Sequence, residues 1–194
     1  LACSSDEFLD RFMSYCTRRA GKTRWIEKTP DNVLYADRIW RQWSDAKLIA
    51  LRRDPKDIYA SWKKNNKLDL ETFVTHVCTV ETAVNEVVIE KSNQFFEVEY
   101  ESLVRRPDEC LETVCKLIDE PYESELAKYD GDDSDFRKVR TVTGAHSATT
   151  EALARPIFTS SIGQWPEILT AIEVERIDEL ISNCAARRRN SVNS

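Results

Sequence analysis

The stretch "AKLIALRRDPKDIYASW", residues 46–62, constrains the fold more than any other part of the chain. The apolar run "LIAL" within "AKLIALR" is too short for a helix. It reads as a fully buried strand of a parallel sheet, apolar on both faces rather than alternating. Asp54-Pro55 then starts a helix from about Pro55 to Lys64, because Asp is a preferred N-cap and Pro is pre-shaped for the first helical turn. A strand that feeds straight into a helix is the first half of a crossover unit, so further strands must run parallel to it. Two arginines, Arg52 and Arg53, mark the carboxyl end of that strand. Open parallel sheets bind ligands there, where the next helix presents free N–H groups and the positive end of its dipole.

The remaining elements fall in around this unit. "SSDEFLDRFMSYCTRRAG" predicts a helix that opens on a capping-box spacing, Ser4 with Glu7, and carries Phe8, Phe12 and Cys16 on one face. "RWIEKTP" is a short apolar stub ending at Lys28, after which Thr29 can cap and Pro30 can open a helix over "DNVLYADRIWRQW". A long helix from about Leu70 to Lys91, the strand "FFEVEY", a helix opened by Pro107 and a last helix from about Ala171 to Arg187 complete the pattern. Strands separated by helices imply an α/β domain in three layers, a parallel sheet covered by helices on both faces. At 194 residues one domain, spanning 1–194, is expected. The stretch from about Tyr129 to Ser161 has no period, and its "DGDDSD" lacks the spacing and closing Glu of a calcium loop. A loop that long in a compact domain is functional or disordered.

Charge and cysteine usage exclude several functions. A net charge of −6 argues against a general nucleic-acid or anionic-membrane binder, which needs excess Lys and Arg, but leaves room for a local anion site. No apolar run is long enough to span a bilayer, and "LACSSDEF" has neither the basic nor the apolar part of a signal peptide. The six cysteines show no C-x-x-C pair and no disulfide-framework spacing, so they read as reduced thiols, and a cytoplasmic location is expected. Zinc is a poor alternative, since only His76 and His146 could join them. The chain does not begin with Met, and its natural start is expected upstream.

Arg53 can fork onto phosphate oxygens, and the second turn of the following helix carries Ser61. The competing reading has Arg52 and Arg53 pairing with Asp54 or Asp57 at the surface. Lys28, at the end of the preceding stub, would bring a second cation to the same crevice, or would simply pair with Glu27. Tyr100, at the end of "FFEVEY", extends this row of polar side chains or packs as an ordinary tyrosine. His146 in the long loop and His76 in mid-helix offer no convincing general base.

Four segments in order, "WIEKTPDNV", "AKLIALRRDPKDIYASW", "FFEVEYESLVRRPDECLETVCKLI" and "RPIFTSSIGQW", resemble the sulfotransferases that use 3′-phosphoadenosine 5′-phosphosulfate (PAPS), with the closest look to the bacterial-type and protein-tyrosine-type branch. The resemblance implies a P-loop type of nucleotide-binding α/β fold and sulfuryl transfer from PAPS, leaving adenosine 3′,5′-bisphosphate (PAP), to a hydroxyl or amine acceptor. It implies that Arg53 and Ser61 hold the 3′-phosphate, that Lys28 neutralises the transferring group, and that Tyr100 contacts the nucleotide. Thr149 and Arg155 match the segment that folds over the nucleotide, and Gln164 stands where the family has Arg or Lys. The family's first strand and its Arg-x-Gly-Thr-Thr loop have no counterpart before Lys28, since Gly21-Lys22-Thr23 is not preceded by a strand. On that ground the chain is expected to be N-terminally incomplete, with transfer requiring residues upstream. The alternative is a non-catalytic nucleotide-binding or interaction domain derived from the same fold.

Overall fold

The computed structural model describes residues 4–65, 69–90, 93–129 and 155–192. Two parallel strands, β1 (Leu48–Arg52) and β2 (Phe95–Glu99), form its centre. They pair in register from Leu48 opposite Phe95 to Arg52 opposite Glu99, so both strands end at the same edge. Between them run α3 (Pro55–Lys64) and the long α4 (Leu70–Glu90), the crossover that parallel pairing requires. Before them lie α1 (Ser5–Arg19), a 3-10 turn (Asn32–Tyr35) and α2 (Ala36–Gln42). After them come α5 (Tyr100–Arg105), α6 (Pro107–Leu117), 3-10 turns at Ser124–Ala127 and Trp165–Glu167, and α7 (Ala171–Val192).

Local chemistry sets several of these boundaries as expected. The Ser4 hydroxyl accepts the Glu7 N–H at 3.2 Å while the Glu7 carboxylate accepts the Ser4 N–H at 3.1 Å, closing the capping box of α1. The Asp54 carboxylate accepts the Lys56 N–H at 2.8 Å, and Pro55 begins α3. Pro107 likewise begins α6.

Helix α4 carries two apolar clusters. Its second half, with Val84 and Val87, packs with Ala36, Trp40 and Phe95 under one face of the sheet, where Leu48 and Ala50 also point. Its first half, with Phe73 and Val74, packs with Tyr59 of α3 and with Ile177 and Leu180 of α7. Phe73 and Ile177 are fully buried and pin these helices together.

Two expectations are corrected, the burial of β1 and the cap at Thr29, and the stub and α1 add two further observations. β1 is not buried on both faces: Ile49 and Leu51 are 42% and 57% exposed, because among the described residues helices cover only the side of Leu48 and Ala50. The "RWIEKTP" stub forms no strand. With no strand partner it stays irregular, Trp25 packing edge-on against Trp43 at 5.5 Å while Ile26 is almost fully exposed. Thr29 does not cap the next helix, since its hydroxyl donates to the Glu27 carboxylate at 2.6 Å and the helix opens instead as the 3-10 turn. The apolar face of α1 finds no core: Phe8 stacks on Phe12 at 6.1 Å, both exposed, and the helix is moored through its polar side by Arg38 to Asp6 and by the Trp43 indole N–H to Asp10 at 2.9 Å.

Candidate functional site

The two strand ends are stitched where the first turns of α3 and α5 begin. The Asp54 N–H donates to the Glu101 carboxylate at 3.2 Å, which brings Arg53 and Tyr100 to one edge of the sheet. The Arg53 guanidinium carbon lies 4.6 Å above the Tyr100 ring, a cation–π contact that fixes the plane of the fork. Its Nη2 donates to the Ser161 carbonyl oxygen at 2.6 Å. The Tyr100 and Ser161 hydroxyl oxygens are 2.7 Å apart. One nitrogen of the fork, Nε, is buried with no hydrogen-bond partner among the described residues. A charged donor left in that state is costly unless an acceptor reaches it, so the cluster suits a ligand that brings anionic oxygens.

Arg52 and Arg53 do different things. Arg52 pairs with Glu81 of α4 at 2.8 Å and with Glu97 of β2 at 3.0 Å, locking strand to crossover helix. Among the described residues neither arginine pairs with Asp54 or Asp57, the surface partners weighed for them. Asp57 is 2% exposed and accepts the backbone N–H groups of Gly163 at 2.6 Å and Trp165 at 3.2 Å.

Ser61 lies in α3 beyond Arg53, half-buried, and its carbonyl accepts from the Asn65 side chain at 2.7 Å. Lys28 is exposed in the irregular segment before the 3-10 turn. Its neighbour Glu27 is engaged by the Thr29 hydroxyl and the Asn32 amide, and Lys28 has no ion pair among the described residues. The turn just after it is held at the α3 end of α4, where His76 Nε2 lies 3.5 Å from Asp31 and the His76 ring packs 6.0 Å from that of Trp62, the residue after Ser61. Arg155 is exposed. Thr149 and His146 lie outside the described residues. The Gln164 side-chain oxygen accepts from Lys64 at 2.7 Å.

The segment at 161–178 is fastened along α3 by further charged contacts. Lys56 reaches Asp178 at 2.8 Å and lies 5.0 Å over the Trp165 ring. Lys63 reaches Glu173 at 2.7 Å. Burial alone would raise the Glu173 carboxyl, but Lys63 and the Thr170 N–H and hydroxyl outweigh it and hold the group below the usual carboxylate range. Burial, and then the nearby Glu173 charge, push the Tyr59 phenol up.

Sequence reasoning missed Asp57 and Ser161. A carboxylate in the first turn of a helix is ordinary, and "TSSIGQW" lies more than a hundred residues from Arg53. The one available signal was Gly163, which adopts φ +71, a conformation that favours glycine in a sharp turn. Among the described residues no group of acidic, His or Cys side chains could hold a metal ion, and no helix is long and apolar enough to cross a membrane.

With this geometry in place, comparison adds the following. The model of the sulfotransferase family matches residues 3–124, more than half of the chain. The structure of the sulfotransferase domain from the curacin biosynthetic pathway superposes with a TM-score of 0.61 at 19% identity, over 90% of this chain and 68% of that one. The sulfotransferase domain from the Synechococcus PCC 7002 olefin synthase superposes with a TM-score of 0.62 at 18% identity, over 89% of this chain and 62% of that one. No curated protein matches the sequence. The two structural likenesses establish a shared fold, the parallel α/β sheet of the P-loop type, and this chain spans about two thirds of each neighbour.

Proposed function

The chain belongs to the sulfotransferase family, and on that premise we propose that it takes PAPS as cosubstrate and moves the sulfuryl group to a hydroxyl or amine acceptor. The observation that carries the reading is the Arg53 fork at the carboxyl end of β1, stacked on Tyr100, with one buried donor unmatched among the described residues. Its residues fit a phosphonucleotide: a planar guanidinium suits bidentate contact with a phosphate dianion, and the N-terminus of α3 adds dipole and N–H groups on the same side.

The cosubstrate supplies the activated sulfuryl group. In this reading Arg53 and Ser61 hold its 3′-phosphate, Tyr100 lies against the nucleotide, and Thr149 and Arg155 belong to the segment that covers it. Lys28, exposed and without an ion pair among the described residues, is free to neutralise the charge that spreads over the transferring group and the leaving phosphate. Charge neutralisation and alignment supply most of the rate in such transfers, because little covalent work falls to the protein.

The deciding measurement is calorimetric titration of adenosine 3′,5′-bisphosphate and of adenosine 5′-phosphate into residues 1–194. Tighter binding of the bisphosphate, lost on Arg53→Ala and Ser61→Ala, is expected. Equal affinity for the two nucleotides would remove the 3′-phosphate site. Transfer itself is followed with radiolabelled PAPS and phenolic, glycan and peptide acceptors. Binding that discriminates the nucleotides without any transfer would favour the non-catalytic binding domain.

A further inference from the structure

We infer that Asp57 is a positioning residue of this phosphate site: it holds the turn at 161–165 so that Ser161 meets Arg53 and Tyr100. The inference rests on the reading of Arg53 as a nucleotide-phosphate ligand.

Among the described residues Asp57 is the one buried charged side chain, at 2% exposure, and neither arginine of the β1 end neutralises it. A buried carboxylate is costly unless donors meet its oxygens. Here both oxygens are met by backbone N–H groups from a segment more than a hundred residues away, Gly163 at 2.6 Å and Trp165 at 3.2 Å, while the first turn of α3 adds its own positive dipole end. The turn so held is sharp. Gly163 sits at φ +71 although a Cβ there would meet nothing within 4 Å, so glycine is required by the backbone conformation and not by space.

Two residues before that glycine, Ser161 turns both of its oxygens to the site, the carbonyl to Arg53 Nη2 at 2.6 Å and the hydroxyl to Tyr100 at 2.7 Å. The path from Asp57 through the turn to the Arg53 fork is therefore continuous. Other contacts fasten the same segment to α3: Lys56 to Asp178 and to the Trp165 ring, Lys63 to Glu173, and Lys64 to Gln164. With those in place, loss of Asp57 should release the turn without releasing the segment. The consequence falls on Arg53, whose guanidinium then loses its carbonyl partner and its fixed orientation.

The test compares wild type, Asp57→Asn and Gly163→Ala in residues 1–194. Amide exchange read by NMR reports the tie itself, and Gly163 and Trp165 should exchange faster in Asp57→Asn; unchanged exchange would overturn the assignment. Titration of adenosine 3′,5′-bisphosphate against adenosine 5′-phosphate reports the consequence. The preference for the bisphosphate should fall by roughly tenfold in both variants, the scale of one charge-assisted contact misplaced, while affinity for the monophosphate holds. Equal loss for both nucleotides would make Asp57 a general scaffold residue and overturn the inference, as would an undiminished preference. Should Asp57→Asn fail to melt cooperatively, Gly163→Ala, which keeps the carboxylate and strains only the turn, decides. A wild type with no preference for the bisphosphate would overturn the phosphate-site reading, and this inference with it.

Discussion

Arg52 and Arg53, neighbours in the chain, serve separate ends: Arg52 is neutralised by Glu81 and Glu97, whereas Arg53 stacks on Tyr100 and donates to the Ser161 carbonyl. Successive strand residues point to opposite faces, so a doubled arginine at a strand end can lock the scaffold with one side chain and offer the other to a ligand.

The two alanine variants should therefore part company. Arg52→Ala strands two glutamates that are only partly solvated, and should cost about 1–2 kcal/mol, lowering Tm by a few degrees for a chain of this size. Nucleotide affinity should change little. Arg53→Ala should leave Tm nearly unchanged and weaken adenosine 3′,5′-bisphosphate binding by roughly tenfold or more. Thermal melts and calorimetry on both variants check this, and a large affinity loss in Arg52→Ala would contradict the division of labour.

Lys28 is exposed, with no ion pair among the described residues, so Lys28→Ala should leave the melting curve in place. If it neutralises the transferring group, the variant should bind nucleotide nearly as well as wild type yet lose about a hundredfold or more in transfer rate. Single-turnover transfer from labelled PAPS, beside a nucleotide titration, separates the two effects. Full activity would take Lys28 out of the mechanism.

Acid should loosen the packing of α3 against α7. The Glu173 carboxyl is held below its usual range by Lys63 and Thr170 despite burial, and a depressed folded value means that the folded state binds fewer protons. Its contribution is present above the unfolded value of about 4.3 and is lost as pH falls through the folded value. Asp6, held down by Arg38, and Asp119, held down by Lys47, act in the same direction. The urea midpoint should fall as pH drops from about 5 to about 2.5, and fall less steeply in Glu173→Gln. Identical slopes in the two proteins would show that Glu173 does not contribute. Tyr59, pushed up by burial, works with the opposite sign: its contribution holds below about pH 10 and is lost at higher pH.

The open face of β1 can be probed through Leu51, which is 57% exposed. Leu51→Gln should cost no more than about 0.5 kcal/mol, where a buried leucine would cost several. Because Leu51 and Ile49 form an apolar strip, the variant should also bind less of a hydrophobic dye. A loss above about 2 kcal/mol by urea titration would show that Leu51 is covered in solution.

What the sequence determined by itself is local. The Ser4–Glu7 capping box, Asp54-Pro55 at α3 and Pro107 at α6 act over one helical turn, so their signals are complete within a few residues. The parallel pairing of β1 with β2 was legible for a related reason: a strand, a long helical crossover and another strand leave few ways to pair. That Arg53 and Tyr100 come to one edge of the sheet followed from strand ends and helix starts. What only the tertiary structure decided involves partners far apart in the chain. Asp57 looks like any solvated first-turn carboxylate until Gly163 and Trp165, more than a hundred residues on, arrive to donate to it. Ser161 likewise meets Arg53 only across 108 residues. The face that β1 buries was illegible too, because Ile49 and Leu51 are as apolar as Leu48 and Ala50, and the side a strand buries depends on where the helices pack, which its own residues do not encode.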